Sequence, residues 1–343
     1  MKAVAFLKSL PIDREESLVD VSMPAPVPGP RDLLVEVHAV SVNPVDTKIR
    51  TRGAPQGPGA DGLTVLGWDA AGLVVAVGGE VTAFQPGDAV YYAGSVDRPG
   101  CNSQYHVVDE RIVARKPASL GFADAAALPL TAITAWEMLF DRLRIRKGRE
   151  AEAGSILILG AAGGVGSIAI QLARRLTGLA VIATASRPET QLWCRDLGAH
   201  HVIDHRQPLT PQVLALSEGG VQYVLALTRT EEHFDDLVQL MAPQSAIAII
   251  DDPSNPLDIN KLKAKSISLH WEFMFTRSRF QTHDMDQQGK LLAEVAGLVD
   301  AGTLRSTVQT RMGTINAANL RKAHALLESG RSVGKIVLEG FDG

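Results

Sequence analysis

The feature that most constrains this chain is a glycine-rich turn that joins an apolar run to a helical pattern. Residues 155–159 are largely apolar, and they lead directly into Gly160-Ala161-Ala162-Gly163-Gly164-Val165-Gly166. Apolar side chains then recur at helical spacing over residues 168–176. A strand, a glycine turn and a helix in this order predict the first βαβ unit of a parallel, doubly wound sheet.

The pattern after this turn extends the same sheet. From residue 123 to residue 268, short apolar runs alternate with helical periods, and one predicted helix, residues 191–197, ends at Gly198. We expect buried strands at residues 155–159, 179–185, 201–203, 221–227 and 246–250.

The pattern before residue 120 is different. Valine-rich runs broken by glycine and proline predict a compact, mainly antiparallel β domain, with strands at residues 1–8, 33–42, 72–77 and 88–92. After residue 269 we expect helices at 290–301 and 317–329, and a strand at 335–338 that returns to this first domain.

Composition excludes several classes of protein. A length of 343 residues suggests about two domains, and 34 basic against 38 acidic side chains leave a net charge of −4, with no electrostatic signature of nucleic-acid binding. No apolar run approaches the roughly 18 residues of a membrane-spanning helix. Because Cys101 and Cys194 are the only cysteines, a disulfide framework is excluded, and a reducing cytoplasm is the expected location.

The glycine turn predicts dinucleotide binding. Residues 161–166 fit the dinucleotide fingerprint with alanine in place of its first glycine. Gly163 would let backbone amides approach a pyrophosphate at the helix N-terminus, and Gly166 would let the helix pack close to the strand. A glycine turn can also serve packing alone, but here the strand before it and the helix after it favour a nucleotide site.

The end of the next strand indicates which dinucleotide is bound. An acidic residue there would bind the ribose 2′-hydroxyl of NAD, but this chain has Ala185-Ser186-Arg187. A serine hydroxyl and a guanidinium can bind a 2′-phosphate instead. The alternative is that Arg187 is a surface residue at the start of a helix. The residues favour NADPH.

Several further motifs resemble those of one enzyme superfamily over essentially the whole chain. They are Val42-Asn43-Pro44-Val45-Asp46, Gly67-Trp68-Asp69-Ala70-Ala71-Gly72, Gln85-Pro86-Gly87-Asp88, Ala126-Ala127-Leu128-Pro129-Leu130-Thr131 and Gly334-Lys335-Ile336-Val337-Leu338. With the glycine turn, they resemble the medium-chain dehydrogenase/reductase superfamily and its zinc-independent quinone-oxidoreductase branch. Residues 271–277 and the Ser186-Arg187 pair resemble the zinc-type alcohol dehydrogenase-like subgroup.

This resemblance implies an α/β fold with two domains and a homodimer joined through its nucleotide domains. A GroES-like, mainly-β catalytic domain would comprise residues 1–124 and 269–343. A Rossmann domain for NADPH would comprise residues 125–268.

The resemblance also predicts that no metal takes part. Zinc alcohol dehydrogenases of the superfamily have a cysteine and a glycine-histidine-glutamate run where this chain has Asn43 to Asp46 and Gly67-Trp68-Asp69. Tryptophan cannot ligate zinc, and catalytic zinc needs about three protein ligands. Without a Lewis acid, hydride transfer requires an acceptor that is already electrophilic. We therefore expect quinones or α,β-unsaturated carbonyls as substrates.

The resemblance implies catalytic roles for four residues, each with a structural alternative. Asn43 would lie beside the nicotinamide and donate to a substrate oxygen, or serve only in an Asn-Pro turn. Asp46 would orient neighbouring donors or begin a helix. Lys48, where many relatives have a tyrosine, would contact the nicotinamide ribose or a substrate oxygen, or lie at the surface. Trp68 would form an apolar wall of the pocket or belong to the core.

The resemblance further implies a set of cofactor contacts. Thr131 would approach the nicotinamide, Phe273 and Phe275 would present backbone groups to its carboxamide, and Lys335 would border the cofactor. His205 would lie near the adenosine end or at the surface. The pyrophosphate would be lined by Ala162, Gly163, Gly164 and Val165, and the 2′-phosphate would be bound by Ser186 and Arg187. The loops at residues 50–63 and 275–285 would shape the acceptor pocket.

Three functions follow from these residues. The leading one is an NADPH-dependent reductase of quinones or enones. The second is a zinc-dependent alcohol or aldehyde dehydrogenase, and the third is a non-catalytic protein that binds NADPH.

Overall fold

The fold was analysed in a computed structural model that describes residues 1–53, 62–148 and 154–341. The chain forms two compact units. The first comprises Met1–Ile133 and Phe275–Gly343, and the second comprises Thr134–Met274. Among the described residues, no helix has both the length and the apolar character needed to cross a membrane.

The strands are named β1 to β16 in chain order. They are Lys2–Phe6, Val19–Ser22, Asp32–Val42, Thr64–Val65, Ala70–Val77, Ala89–Tyr92, Tyr105–Asp109, Val113–Arg115, Ser155–Leu159, Ala180–Thr184, His201–Ile203, Val221–Ala226, Met241–Ile249, Ser268–Trp271, Val308–Arg311 and Lys335–Glu339.

The α-helices are named α1 to α10 in the same way. They are Pro44–Arg52, Phe122–Ala126, Pro129–Trp136, Gly164–Leu176, Pro188–Asp196, Leu209–Leu214, Thr230–Leu240, Thr276–Phe280, Gln287–Asp300 and Ala317–Glu328. A π-helical segment, Glu137–Arg142, directly follows α3.

The second unit contains the predicted parallel sheet. Its six strands run in the order β11-β10-β9-β12-β13-β14, and every neighbouring pair is parallel. All five residues of β9 are buried, because β9 lies in the middle of the sheet. The continuous apolar run at residues 155–159 is typical of such a strand.

The prediction that all these strands are buried is wrong for β11. Only Ile203 of its three residues is buried. The reason is its place at the edge of the sheet, where β10 is its one neighbour. One edge of β11 is therefore not covered by another strand, which leaves His201 and Val202 in contact with solvent.

The first unit is mainly antiparallel, as predicted. Its larger sheet has the order β15-β16-β3-β5-β6-β8, with β7 also paired to β3, and β15 with β16 is the parallel exception. Gly72 lets β5 approach β3, since a Cβ there would lie 2.0 Å from the Glu36 carbonyl oxygen. The C-terminal strand β16 pairs antiparallel with β3, with Ile336 opposite Val42. This confirms that the C-terminal segment returns to the first unit.

The two units divide later in the chain than the domain boundaries predicted at 124/125 and 268/269. Helix α2 spans the first predicted boundary. Strand β14 begins at the second and pairs with β13 as the last strand of the parallel sheet. Its sequence, Ser-Leu-His-Trp, is too short and too polar to be recognised as a sheet strand.

Candidate functional site

The glycine turn lies between β9 and α4. The Gly160 N–H donates to Thr184 Oγ1 at 3.0 Å, which ties the turn to the end of β10. A Cβ on Gly166 would lie 2.4 Å from the Ala161 carbonyl oxygen, so only glycine fits there. A Cβ on Gly163 would meet only the Gly160 carbonyl oxygen, at 3.5 Å. The packing of this unit therefore does not require glycine at position 163, and the space above the turn stays open.

The first turn of α4 presents its amides to that space. Gly163 is the N-cap, and no side chain caps the helix. Ala162, Gly163, Gly164 and Val165 are all partly exposed, whereas Gly166 is buried. Uncapped N–H groups and the positive end of the helix dipole suit an anionic group such as a pyrophosphate. These residues fit a dinucleotide.

Two arginines are placed near the end of β10: Arg206 contacts Ser186, and Arg187 follows Ser186 in the chain. Arg187 pairs with Glu189, with 3.2 Å between Nε and Oε1. Arg206 donates from Nη2 to the Ser186 carbonyl oxygen at 2.7 Å and also pairs with Asp204. Sequence reasoning missed Arg206. Only the pairing of β10 with β11, which sets Thr184 opposite Ile203, brings it to Ser186.

His205 and Phe273 also belong to the second unit. His205 is half-buried, and its Nδ1 has no hydrogen-bond partner among the described residues. Burial lowers the pKa of this imidazole. Phe273 follows β14 and is 44% exposed. Their predicted cofactor contacts stay predictions.

In the first unit, Asn43 and Lys335 meet in a buried polar network around Asp69. Asn43 Nδ2 donates to Asp69 Oδ2 at 2.8 Å, and Lys335 Nζ donates to the same oxygen at 3.0 Å. Asp69 Oδ1 accepts the Leu130 N–H at 2.8 Å. The three side chains are at most 3% exposed. Burial raises the pKa of Asp69, and the Lys335 ammonium and the neighbouring donors oppose that rise.

Asn43 and Lys335, which were predicted to contact ligands, already make hydrogen bonds within this network. The second donation of Asn43 Nδ2 goes to the Ser41 carbonyl oxygen at 3.3 Å, and Asn43 Oδ1 accepts from Lys335 Nζ. Lys335 Nζ also donates to the Val42 carbonyl oxygen at 3.1 Å. Donation from Asn43 to a substrate oxygen stays a prediction, and it requires one of these bonds to be exchanged.

Asp46 and Lys48 lie on α1. Asp46 is the third residue of the helix, and its Oδ2 accepts the Asn43 N–H at 2.7 Å. Its Oδ1 is buried and has no hydrogen-bond partner among the described residues. Burial raises the pKa of Asp46 to about 7. Lys48 is half-buried. The structure thus gives Asp46 the helix-starting contact that was one of its two predicted roles.

Trp68, Phe275 and Thr131 are buried in the first unit. The Trp68 indole N–H donates to the Ser95 carbonyl oxygen at 2.9 Å, and its ring meets Phe275 edge-on with centroids 6.4 Å apart. The Thr131 hydroxyl donates to the Leu128 carbonyl oxygen at 3.1 Å. Their predicted contacts with ligands are not tested by this packing.

Comparison with known proteins places this geometry in a family. Residues 29–122 match the alcohol dehydrogenase GroES-like domain, and residues 197–338 match a family described as zinc-binding dehydrogenase. The zinc-type alcohol dehydrogenase-like protein SAS2087 of Staphylococcus aureus strain MSSA476 is 39% identical over 98% of this chain and 99% of its own. The chain belongs to the medium-chain dehydrogenase/reductase superfamily.

Solved structures of the superfamily share the whole fold. A protein of Rhizobium etli CFN 42, described as a candidate zinc-dependent alcohol dehydrogenase, is 55% identical with a TM-score of 0.95, covering 100% of this chain and 99% of its own. The quinone oxidoreductase of Escherichia coli in complex with NADPH is 25% identical with a TM-score of 0.82, covering 99% and 100%. The predicted fold class and the quinone oxidoreductase-like branch are confirmed, and the protein is an oxidoreductase of this superfamily.

The zinc in the names of some superfamily relatives does not fit the residues of this chain. Trp68 cannot ligate a metal, and its indole N–H is bound to a carbonyl. Asp69 already faces the Lys335 ammonium, which would repel a second cation. Across residues 1–53, 62–148 and 154–341, no group of three or more histidine, cysteine or carboxylate side chains could hold a metal ion. The side chains at these two positions therefore do not suit zinc.

Proposed function

We propose that the protein is an NADPH-dependent reductase of quinones or α,β-unsaturated carbonyls. The observation that carries this proposal is the position of two arginines after the strand that contacts the glycine turn. Gly160 donates to Thr184 at the end of β10, Arg206 donates to the Ser186 carbonyl oxygen, and Arg187 is the N-cap of α5. A 2′-phosphate is a dianion, and guanidinium groups bind such anions with charge-assisted hydrogen bonds. The ribose of NAD, which lacks this phosphate, would not use either arginine in this way.

Different residues of the chain would bind the two phosphate groups of NADPH. The amides of the first turn of α4 would bind the pyrophosphate, and Ser186, Arg187 and Arg206 would bind the 2′-phosphate. When bound, NADPH supplies a hydride. The protein then contributes orientation and a dry environment.

The substrate class follows from the residues that stand where a metal ligand would be. Trp68 and a lysine-paired Asp69 stand where zinc alcohol dehydrogenases have the histidine and glutamate of their metal site. These two side chains would not hold a Lewis acid that could polarise a simple carbonyl. A quinone or an enone delocalises the added charge onto oxygen, so hydrogen-bond donors suffice. The loop at residues 50–63, expected to shape the acceptor pocket, includes residues 54–61, which lie outside the described residues.

Cofactor titration tests the choice of dinucleotide. We expect Arg187→Ala and Arg206→Ala each to weaken NADPH binding about 10- to 100-fold, the worth of a charged hydrogen bond, and to leave NADH binding unchanged. Arg195→Ala is the matched control, because Arg195 is exposed in the last turn of α5, at the end of that helix away from Arg187. Equal dissociation constants of the wild-type protein for NADPH and NADH would reject the 2′-phosphate assignment.

A panel of acceptors tests the substrate class. NADPH consumption should be rapid with quinones or enones and negligible with simple aldehydes. A preference for simple aldehydes or alcohols would contradict the proposal. The homodimer implied by the resemblance and the cytoplasmic location expected from the cysteine content stay predictions. Light scattering tests the homodimer.

A further inference from the structure

The Asp69 carboxylate contacts three segments that sequence reasoning assigned to the site. Its Oδ2 accepts from the side chains of Asn43 and Lys335, and its Oδ1 accepts the backbone N–H of Leu130. These residues lie at the start of α1, at the start of β16 and at the start of α3. The sequence analysis named Asp69 only within the Gly67-Trp68-Asp69 motif and gave it no role in the metal-free reaction.

Asp69 fixes the direction of the Asn43 amide. The carboxylate oxygen accepts from Nδ2, while the Lys335 ammonium donates to Oδ1 on the other side. A flipped amide would set its oxygen against a carboxylate and its NH₂ against an ammonium. The Asp69–Lys335 pair therefore allows only one orientation of Asn43.

Asp69 also supplies the charge that the buried Lys335 ammonium requires. Lys335 is 3% exposed, and its three N–H groups are used by Asp69 Oδ2, Asn43 Oδ1 and the Val42 carbonyl oxygen. A buried ammonium without a carboxylate carries a large desolvation penalty. If Asp69 were protonated, all three acceptors of the Lys335 ammonium would be neutral.

The third contact anchors α3. Leu130 is the second residue of that helix, and the first N–H groups of an α-helix need acceptors from outside its regular hydrogen-bond pattern. Asp69 Oδ1 accepts it at 2.8 Å, and a carboxylate at a helix N-terminus is also favoured by the helix dipole. Thr131, predicted to approach the nicotinamide, is the next residue.

We propose that Asp69 is a positioning residue of the reductase, which holds Asn43, Lys335 and the start of α3 in the arrangement that hydride transfer needs. This inference rests on the proposed function. Asp69 would act through the residues that it contacts, Asn43, Lys335 and Leu130. Its effect is to keep three neighbouring segments at fixed distances from one another, and a displacement of about 1 Å in such a site costs up to about 100-fold in rate.

Asp69→Asn tests this role, because asparagine keeps the shape but removes the charge and must set its NH₂ group against the Leu130 N–H or against the donors of Asn43 and Lys335. We expect kcat with the best acceptor of the panel to fall about 10- to 100-fold. NADPH binding should weaken by a clearly smaller factor, because the phosphate contacts are untouched while the segments of Lys335 and Thr131 shift. The isotope effect on kcat with deuterated NADPH should rise, because hydride transfer becomes slower relative to other steps. Asp32→Asn is the control: it breaks the Arg98 pair in the same unit and should leave kcat and the isotope effect unchanged.

Thermal unfolding supplies a readout that needs no turnover. Asp69→Asn should lower the unfolding temperature, and adding Lys335→Met should recover part of that loss, since it removes the unpaired ammonium. Additive effects of the two changes would show that the buried pair does not exist. Wild-type kcat and isotope effect in Asp69→Asn would overturn the positioning role and leave the proposed function intact. A wild-type protein that reduces no acceptor would overturn both.

Discussion

Two buried histidines of the first unit illustrate how the same side chain can be stabilising or costly. His106 is paired through Nδ1 with the Tyr92 hydroxyl at 3.1 Å and through Nε2 with the Pro99 carbonyl oxygen at 3.0 Å. His324 on α10 has no hydrogen-bond partner for either ring nitrogen among the described residues. Burial lowers the pKa of His106 to about 4 and that of His324 to about 3. Both are therefore neutral in the folded protein at pH 7.

Leucine at each position should have opposite effects. His324→Leu removes two unpaired buried nitrogens and should raise the free energy of unfolding by about 1 kcal/mol, whereas His106→Leu leaves the Tyr92 hydroxyl unpaired and should lower it by about 1–3 kcal/mol. Urea denaturation at pH 7 measures both. Equal losses in the two variants would contradict this account.

The same histidines make the fold sensitive to acid. Since the folded state keeps them neutral while the unfolded chain takes up protons below a pKa of about 6.5, stability is lost as pH falls from that value toward 4. His324→Leu should reduce this loss. A pH dependence identical to that of wild type would show that His324 does not contribute.

A buried pair of glutamates in the second unit, Glu137 and Glu272, predicts that stability is lost as pH rises. Arg142 Nε lies 2.8 Å from Glu272 Oε2, and Arg142 Nη2 lies 3.5 Å from Glu137 Oε2. Burial, with the neighbouring Glu137, raises the pKa of Glu272 to about 9. The folded state keeps this proton where the unfolded chain has lost it, so stability falls as pH rises from about 4.5 toward 9.

Glu272→Gln should remove this dependence, because glutamine is neutral at every pH. We expect the variant to be more stable than wild type at pH 8 and to differ less from wild type at pH 5. Denaturation with urea at the two pH values measures the difference, and Glu232→Gln, an exposed position of α7, is the control. A variant that loses stability with rising pH as steeply as wild type would contradict the raised pKa.

At the scale of elements, the β9–turn–α4 unit assigns different tasks to its glycines. Gly166 is required by the packing of α4 against the turn, while Gly163 has room for a Cβ and faces open space. The apolar run, the turn and the helix could be predicted from sequence because each has a local signature. The different tasks of the two glycines could also be predicted from the fingerprint. The distances behind them could not, because the 2.4 Å between a Cβ on Gly166 and the Ala161 carbonyl oxygen exists only in the folded chain.

Alanine at these two positions should separate stability from binding. Gly166→Ala should destabilise the protein by about 1–3 kcal/mol, as overpacking does. Gly163→Ala should leave the unfolding temperature unchanged and weaken NADPH binding, since its methyl group would occupy the space above the turn. Thermal unfolding and cofactor titration together measure this. Undiminished NADPH binding by Gly163→Ala would show that the pyrophosphate does not approach this residue.

At the scale of the whole molecule, local patterns predicted the elements, and topology decided which residues meet. The fold class and the return of the C-terminal segment could be predicted, since strand and helix periods are local. The pairing of Lys335 with Asp69 could not, because 266 residues separate them and only the pairing of β16 with β3 brings Lys335 to Asn43. Arg206 was missed for the same reason, as it reaches Ser186 only across β10 and β11.

The central claim is that this oxidoreductase reduces activated acceptors with NADPH and without a metal. The most direct test is the rate of NADPH-dependent reduction of a quinone or an enone before and after exhaustive dialysis against a chelator, with the zinc content measured in the same samples. The account predicts equal rates in both samples and no stoichiometric zinc in either. A rate that disappears on dialysis and returns when zinc is added would contradict it.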